Sequence, residues 1–161
     1  KMSGIKLPNS IKMVVTDFDG VVTDNCVYIN DDFSMSRKLN FKDVMGFSIL
    51  KKNSYEISII SGEGNAAIQT MAKKFGIVEI HQNIRKKIDV LKNIVEKYNL
   101  SLDEFVYIGD DINDVECLEF AKYKITVPHA VDKVKAIKGI QITKNEAGNG
   151  AFREVVDCLV G

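Results

Sequence analysis

The chain has 161 residues, 45% hydrophobic and 27% charged, a composition that suits a single domain, residues 1–161, built around one core. Its 22 Lys and Arg balance 22 Asp and Glu, so no net field draws nucleic acid or an anionic membrane, and any anionic ligand must be held by local groups. No apolar run reaches a bilayer span and "KMSGIKLPNS" lacks the apolar centre of a secretory signal, so a cytoplasmic enzyme or binding module is expected.

In chain order, "IKMVVTD" (residues 11–17) reads as a buried strand ending on a polar residue. "CVYINDDFSMSRKLNF" (26–41) has two strand-like arms around "NDD", the pattern of a β-hairpin projecting after that strand. "YEISIIS" (55–61) repeats the strand with a polar end. Ile68, Met71, Ala72 and Phe75 follow the i, i+3, i+4, i+7 spacing of a helix with one apolar face. Ile88, Leu91, Ile94, Val95 and Tyr98 make a second stripe, "FVYIGD" (105–110) and "KYKITV" (122–127) two more strands, and Phe152, Val155, Val156 and Leu159 a last helix. Near-continuous apolar strands alternating with helices predict the α/β class, a doubly wound, Rossmann-like, mostly parallel sheet. Pro8 and Pro128 bracket no second domain, and Cys26, Cys117 and Cys158 lack the spacing of a zinc site, so they are expected to be reduced packing residues. His81 and His129 have no partner at ligand spacing either.

In such a sheet, ligands collect beyond the carboxyl ends of the strands. Asp17 and Asp19, two apart, point to one side of an extended backbone, and Gly20 permits a sharp turn. A lone "DxD" is a common polar strand end, but "YIGDDIND" adds Asp110, Asp111 and Asp114, and a helix cap accounts for only one of them. Two acidic clusters side by side repel unless neutralised, and hard oxygen donors without thiolate or imidazole suit Mg²⁺, which bridges to phosphate oxygens. Ser61 before Gly62, and Lys86 and Lys87 opening "KKIDVLKNIVEKY", offer a hydroxyl, an amide and an ammonium for a phosphate.

These groups, in the order "DFDGVVT", Ser61, a lysine and "GDDIND", resemble the four motifs of the haloacid dehalogenase superfamily of phosphatases over nearly the whole chain. Within it the chain is similar to the small branch without a large cap, which holds 3-deoxy-D-manno-octulosonate 8-phosphate phosphatase and its sialic-acid-type relatives. The specific cues are "DGVVTD", the hairpin, "FKDVMGFSILKK", "YIGDDIND" and "GNGAFREV".

The resemblance implies that Asp17 is the nucleophile, that Asp19 is the general acid and base, with Thr23 orienting it, and that Ser61 and Lys87 grip the phosphoryl group. It implies Mg²⁺ on Asp17, the Asp19 carbonyl and Asp110, with Asp111 and Asp114 supporting. It also implies a homotetramer assembled through the hairpin, in which a neighbour's glycine-rich C-terminal segment, with Arg153 as an anion contact, closes the site. Many octulosonate phosphatases carry Arg after "SG" or "TG", whereas this chain has Glu63 after Gly62. Glu63 with Lys74 looks more like relatives acting on nine-carbon acids. The expected activity is Mg²⁺-dependent hydrolysis of the terminal phosphate of an eight- or nine-carbon 2-keto-3-deoxy sugar acid. A noncatalytic oligomerisation domain beside a cytidylyltransferase is the alternative. A signalling receiver is disfavoured because its phospho-accepting Asp follows a middle strand.

Overall fold

The computed structural model describes residues 3–161; Lys1 and Met2, which begin the N-terminal stretch read above, lie outside the described residues. The strands are β1 (Met13–Thr16), β2 (Tyr28–Ile29), β3 (Met35–Ser36), β4 (Glu56–Ile60), β5 (Glu79–His81), β6 (Phe105–Ile108), β7 (Tyr123–Thr126) and β8 (Gln141–Ile142). The helices are α1 (Phe41–Lys52), α2 (Ala66–Phe75), α3 (Lys87–Lys97), α4 (Val115–Phe120), α5 (Asp132–Lys135) and α6 (Ala151–Val160), and a 3₁₀ turn spans Ile112–Asp114. The main sheet runs β5-β4-β1-β6-β7-β8, every pair parallel, and β2 and β3 form a separate antiparallel hairpin. This is the doubly wound architecture, with the hairpin after the first strand.

The period-two alternation of strand side chains explains the layers. Val14, Ile57, Ile59 and Val106 face α1, α2 and α6, in a core with Phe47, Ile68 and Phe152. Met13, Val15, Phe105 and Tyr107 face the other side, against Leu91 of α3, Leu118 of α4 and Val134 of α5. Both faces are covered, so the strands are apolar throughout.

Helix α1 escapes a periodicity search because its stripe is mixed. Asp43 and Gly46 are buried beside Phe47 and Leu50, while Phe41 and Met45 are 90% and 50% exposed. Gly46 is small because a Cβ there would lie 3.1 Å from the Phe152 ring. Asp43 accepts from the amides of Gly150 (3.1 Å) and Arg153 (3.0 Å), so it caps α6, whose own N-cap is a glycine. Burial nonetheless pushes the Asp43 carboxyl up. That clamp sets the preceding turn, where the Gly148 amide meets the Val21 carbonyl at 3.3 Å and a Cβ would strike the Asp24 nitrogen at 2.3 Å. The C-terminal glycine-rich segment thus packs against the loop that follows β1 of its own chain. No helix among the described residues is long and apolar enough to cross a membrane.

Candidate active site

Thr16 and Ile108 are register partners at the ends of β1 and β6. Residues just past parallel neighbours emerge side by side, so Asp17 meets Asp110 although 93 positions separate them. The Asp17 amide donates to the Ile108 carbonyl at 2.9 Å, which fixes this junction. Gly20 has φ +89°, and a Cβ on it would lie 2.0 Å from Asp110 Oδ2, so the turn after β1 requires glycine.

Carboxylate oxygens of Asp17, Asp110 and Asp114 lie within 4.8 Å of one another, all buried. Lys87 Nζ, fully buried, sits 3.1 Å from Asp17 Oδ1 and 3.0 Å from Asp114 Oδ1. Asp114 spends its acceptors inside the protein: Lys87 and the Tyr107 hydroxyl (2.6 Å) on Oδ1, and the amides of Asp110 (3.0 Å) and Asp111 (3.3 Å) on Oδ2. Asp110 Oδ1, by contrast, is buried without a hydrogen-bond partner.

The electrostatics follow from this crowding. Burial pushes the Asp17 carboxyl well above the usual range and the Asp114 charge adds to it, while Lys87 pulls it back. Burial is also the main cause that raises Asp110, to about 6. For Lys87, burial alone would depress the ammonium, but Asp114 and Asp17 outweigh it and hold its pKa above the ordinary value. Three carboxylates against one ammonium leave two negative charges in excess.

These residues fit Mg²⁺: the donors are hard oxygens, the excess charge matches a divalent cation, and Asp110 Oδ1 lacks any other partner. Asp17 and Asp110 would hold it, with Asp114 as the brace that fixes Lys87 and the Asp110 backbone. Because Asp110 titrates near pH 6 and only its ionised form ligates, Mg²⁺ affinity is expected to fall as pH drops from 7.5 to 5. Calorimetric titration in buffers of different ionisation enthalpy checks this: proton release on binding should be seen near pH 6.

Above this floor lies a cavity of about 170 Å³ lined by Asp17, Asp19, Asp110 and Asp111 and by Ser61, Gly62 and Glu63, with Asn25 and Asn113 at its edge. Asp19 Oδ1 accepts from Thr23 Oγ1 and from Arg37 Nε, both at 2.9 Å. Buried Ser61 accepts from the Glu63 amide at 3.1 Å, so its hydroxyl hydrogen is free to point elsewhere. Asp111 Oδ1 accepts from the Ile112 amide at 2.7 Å and caps the 3₁₀ turn, while its side chain borders the cavity.

Two other residues named from the sequence are placed elsewhere. Lys74 is exposed on α2 with its ammonium 5.5 Å from the Phe75 ring. Arg153, on α6, pairs with Asp157 of the same helix (2.9 Å) and donates to the Lys42 carbonyl of α1 (3.3 Å). Arg37, Asn113 and Tyr107 went unnoticed. Tyr107 had a signal, since a phenol inside an apolar strand needs a buried partner; Arg37 had none, being one basic residue in a polar arm.

A family model described as haloacid dehalogenase-like hydrolase matches residues 15–155. The 3-deoxy-D-manno-octulosonate 8-phosphate phosphatase of Salmonella typhi is 25% identical over 151 residues, 94% of this chain and 80% of that protein. The crystal structure of the corresponding Moraxella catarrhalis phosphatase, in complex with magnesium, phosphate and the octulosonate sugar acid, superposes with a TM-score of 0.88. Its sequence is 30% identical, and the match covers 94% of this chain and 87% of that one. The cobalt-bound Haemophilus influenzae phosphatase has the same fold, with a TM-score of 0.86 at 23% identity over 94% and 88% of the two chains. With the family model spanning most of the chain and the fold shared with these phosphatases, the chain belongs to the haloacid dehalogenase-like hydrolases, in their branch of 3-deoxy-D-manno-octulosonate 8-phosphate phosphatases.

Proposed function

We propose that the protein hydrolyses the terminal phosphate of a 2-keto-3-deoxy sugar acid through an aspartyl-phosphate on Asp17. The observation that carries this is the buried Asp17 carboxylate, in contact with Lys87 and grouped with Asp110 and Asp114 at the end of β1. In the first step an Asp17 oxygen bonds to phosphorus, the bond from phosphorus to the sugar oxygen breaks, and Asp19 gives that oxygen its proton. In the second, water attacks phosphorus, Asp19 takes the water's proton, and Asp17 leaves as a free carboxylate. Thr23 and Arg37 both donate to Asp19 Oδ1, so Oδ2 is left to face the leaving group. Ser61 Oγ and Lys87 Nζ donate to the phosphoryl oxygens, where the electron-rich transition state needs fixed donors. Bound Mg²⁺ supplies the remaining positive charge against those oxygens.

The eight-carbon octulosonate is favoured by the Salmonella and Moraxella relatives, and Glu63 on the cavity rim supports a nine-carbon acid. A phosphate-release screen over 3-deoxy-octulosonate 8-phosphate, nonulosonate 9-phosphates and hexose phosphates, with and without Mg²⁺, tests the reading. The expected result is Mg²⁺-dependent preference for one of the keto-deoxy acids; preference for hexose phosphates would overturn the substrate class.

The hairpin supports a homotetramer. Tyr28, Ile29, Phe33 and Met35 are 68%, 69%, 87% and 58% exposed, an apolar concentration that a free surface tolerates poorly. The wild type should sediment at four chain masses, and an Ile29→Lys, Phe33→Lys double variant at one; a monomeric wild type would contradict the tetramer.

A further inference from the structure

We propose that Tyr107 is a positioning residue for the phosphoryl transfer: its phenol holds Asp114 so that the Lys87 ammonium stays shared between Asp114 and Asp17 and keeps its remaining N–H aimed at the phosphoryl group. The inference rests on the phosphatase reading and adds to it a residue that touches neither substrate nor metal.

Tyr107 lies inside β6, in register with Val15 of β1, and its ring fills the core layer with Met13, Phe105 and Leu91 on the side of α3 and α4. Phe would fill that space as well, so packing explains the ring and leaves the hydroxyl to be accounted for. Fully buried, the hydroxyl donates to Asp114 Oδ1 at 2.6 Å, and Lys87 Nζ meets the same oxygen at 3.0 Å. Burial and the Asp114 charge both push the phenol's pKa up, so it stays protonated and remains a donor. The other oxygen of Asp114 is held by the amides of Asp110 and Asp111, and the carboxylate stands over Gly109, where a Cβ would come within 2.5 Å of Asp114 Cγ. The backbone therefore fixes Oδ2, whereas Oδ1 has one partner on a long flexible stem and one on a rigid ring anchored in the sheet. The ring sets where Oδ1 lies.

An ammonium carries three N–H groups. Two are taken by Asp17 Oδ1 (3.1 Å) and Asp114 Oδ1 (3.0 Å), and tetrahedral geometry then fixes the direction of the third, the one available to a phosphoryl oxygen. The phenol also takes up part of the negative charge on Oδ1, which weakens that oxygen's hold on the ammonium and leaves it balanced between two carboxylates. Without the hydroxyl, Lys87 would be the remaining partner of Oδ1, and Nζ would move toward Asp114 and away from Asp17 and phosphorus. The donor would stay in the site but point past its target, which lowers kcat more than it alters ground-state binding.

The test is a double-mutant cycle on Mg²⁺-dependent hydrolysis of p-nitrophenyl phosphate by the wild type, Tyr107→Phe, Lys87→Met and the double variant. Tyr107→Phe should lower kcat about tenfold, with KM and Mg²⁺ affinity within about twofold of the wild type, because Asp17 and Asp110 keep their contacts. In the Lys87→Met background the same substitution should change kcat by less than about twofold, since no ammonium is left to misdirect. An equal loss in both backgrounds would make the hydroxyl a structural group and overturn the proposal. A crystal structure of Tyr107→Phe gives a readout that does not pass through turnover: Lys87 Nζ should have left hydrogen-bond distance of Asp17 Oδ1, and an unmoved Nζ would contradict the proposal. Full activity of Tyr107→Phe beside an active wild type would overturn the proposal alone, whereas a wild type that releases no phosphate would overturn the phosphatase reading as well.

Discussion

Asp17→Asn should abolish turnover, by at least about 10⁴-fold in kcat, while the protein becomes no less stable. An amide oxygen can still accept from the Phe18 amide, 2.7 Å from Asp17 Oδ1, and from Lys87 at 3.1 Å, so the local geometry survives. Nucleophilicity does not, because an amide cannot form the acyl phosphate. The stability argument follows from the sign of the shift. Asp17 is raised in the fold by burial and by Asp114, so its ionised form opposes folding above its ordinary pKa, and removing the charge relieves that. At pH 7.5 without Mg²⁺ the variant should unfold in urea at equal or higher denaturant, by up to about 1 kcal/mol. An inactive but destabilised variant would point to a structural role for Asp17 instead.

Lys87→Met should do the opposite to stability and the same to activity. The ammonium is buried between Asp17 and Asp114, and no other cation pairs with their oxygens among the described residues. Removing one member of a buried ion cluster leaves uncompensated charge, a cost of about 3 kcal/mol at pH 7.5 without Mg²⁺. As pH falls through about 6 toward 5.5 the raised Asp110 carboxyl takes up a proton, so the deficit should shrink. Loss of a fixed donor to the phosphoryl group should lower kcat by about 10²–10³-fold. Urea unfolding at several pH values with a phosphate-release assay checks both; wild-type stability at pH 7.5 would contradict the ammonium's placement.

The architecture was legible because it depends on long, regular signals. Strands β1, β4, β6 and β7 are apolar runs ending in polar residues, and α2, α3 and α6 keep one apolar face. What escaped was short or mixed: β5 has three residues and β8 two, and α1 buries Asp43 while exposing Phe41. The carboxylates were visible as residue types, since several acids just past apolar strands need more than a turn to explain them. Their division of labour was not. Only the folded arrangement distinguishes Asp114, saturated by Lys87, Tyr107 and two amides, from Asp110, whose Oδ1 is unpartnered. Arg37 was invisible for a related reason: its contact with Asp19 depends on where the arm after β3 meets the turn after β1, which no local pattern encodes.

The central claim is that Asp17 accepts the phosphoryl group while sharing a magnesium ion with Asp110. The most direct measurement is a crystal structure of the protein with Mg²⁺ and beryllium trifluoride, which mimics a phosphoryl group on a carboxylate. The account predicts beryllium bonded to an Asp17 oxygen, its fluorides facing Ser61 and Lys87, and one Mg²⁺ ligated by Asp17 and Asp110. Beryllium on any other side chain, or a magnesium ion that touches neither aspartate, would contradict it.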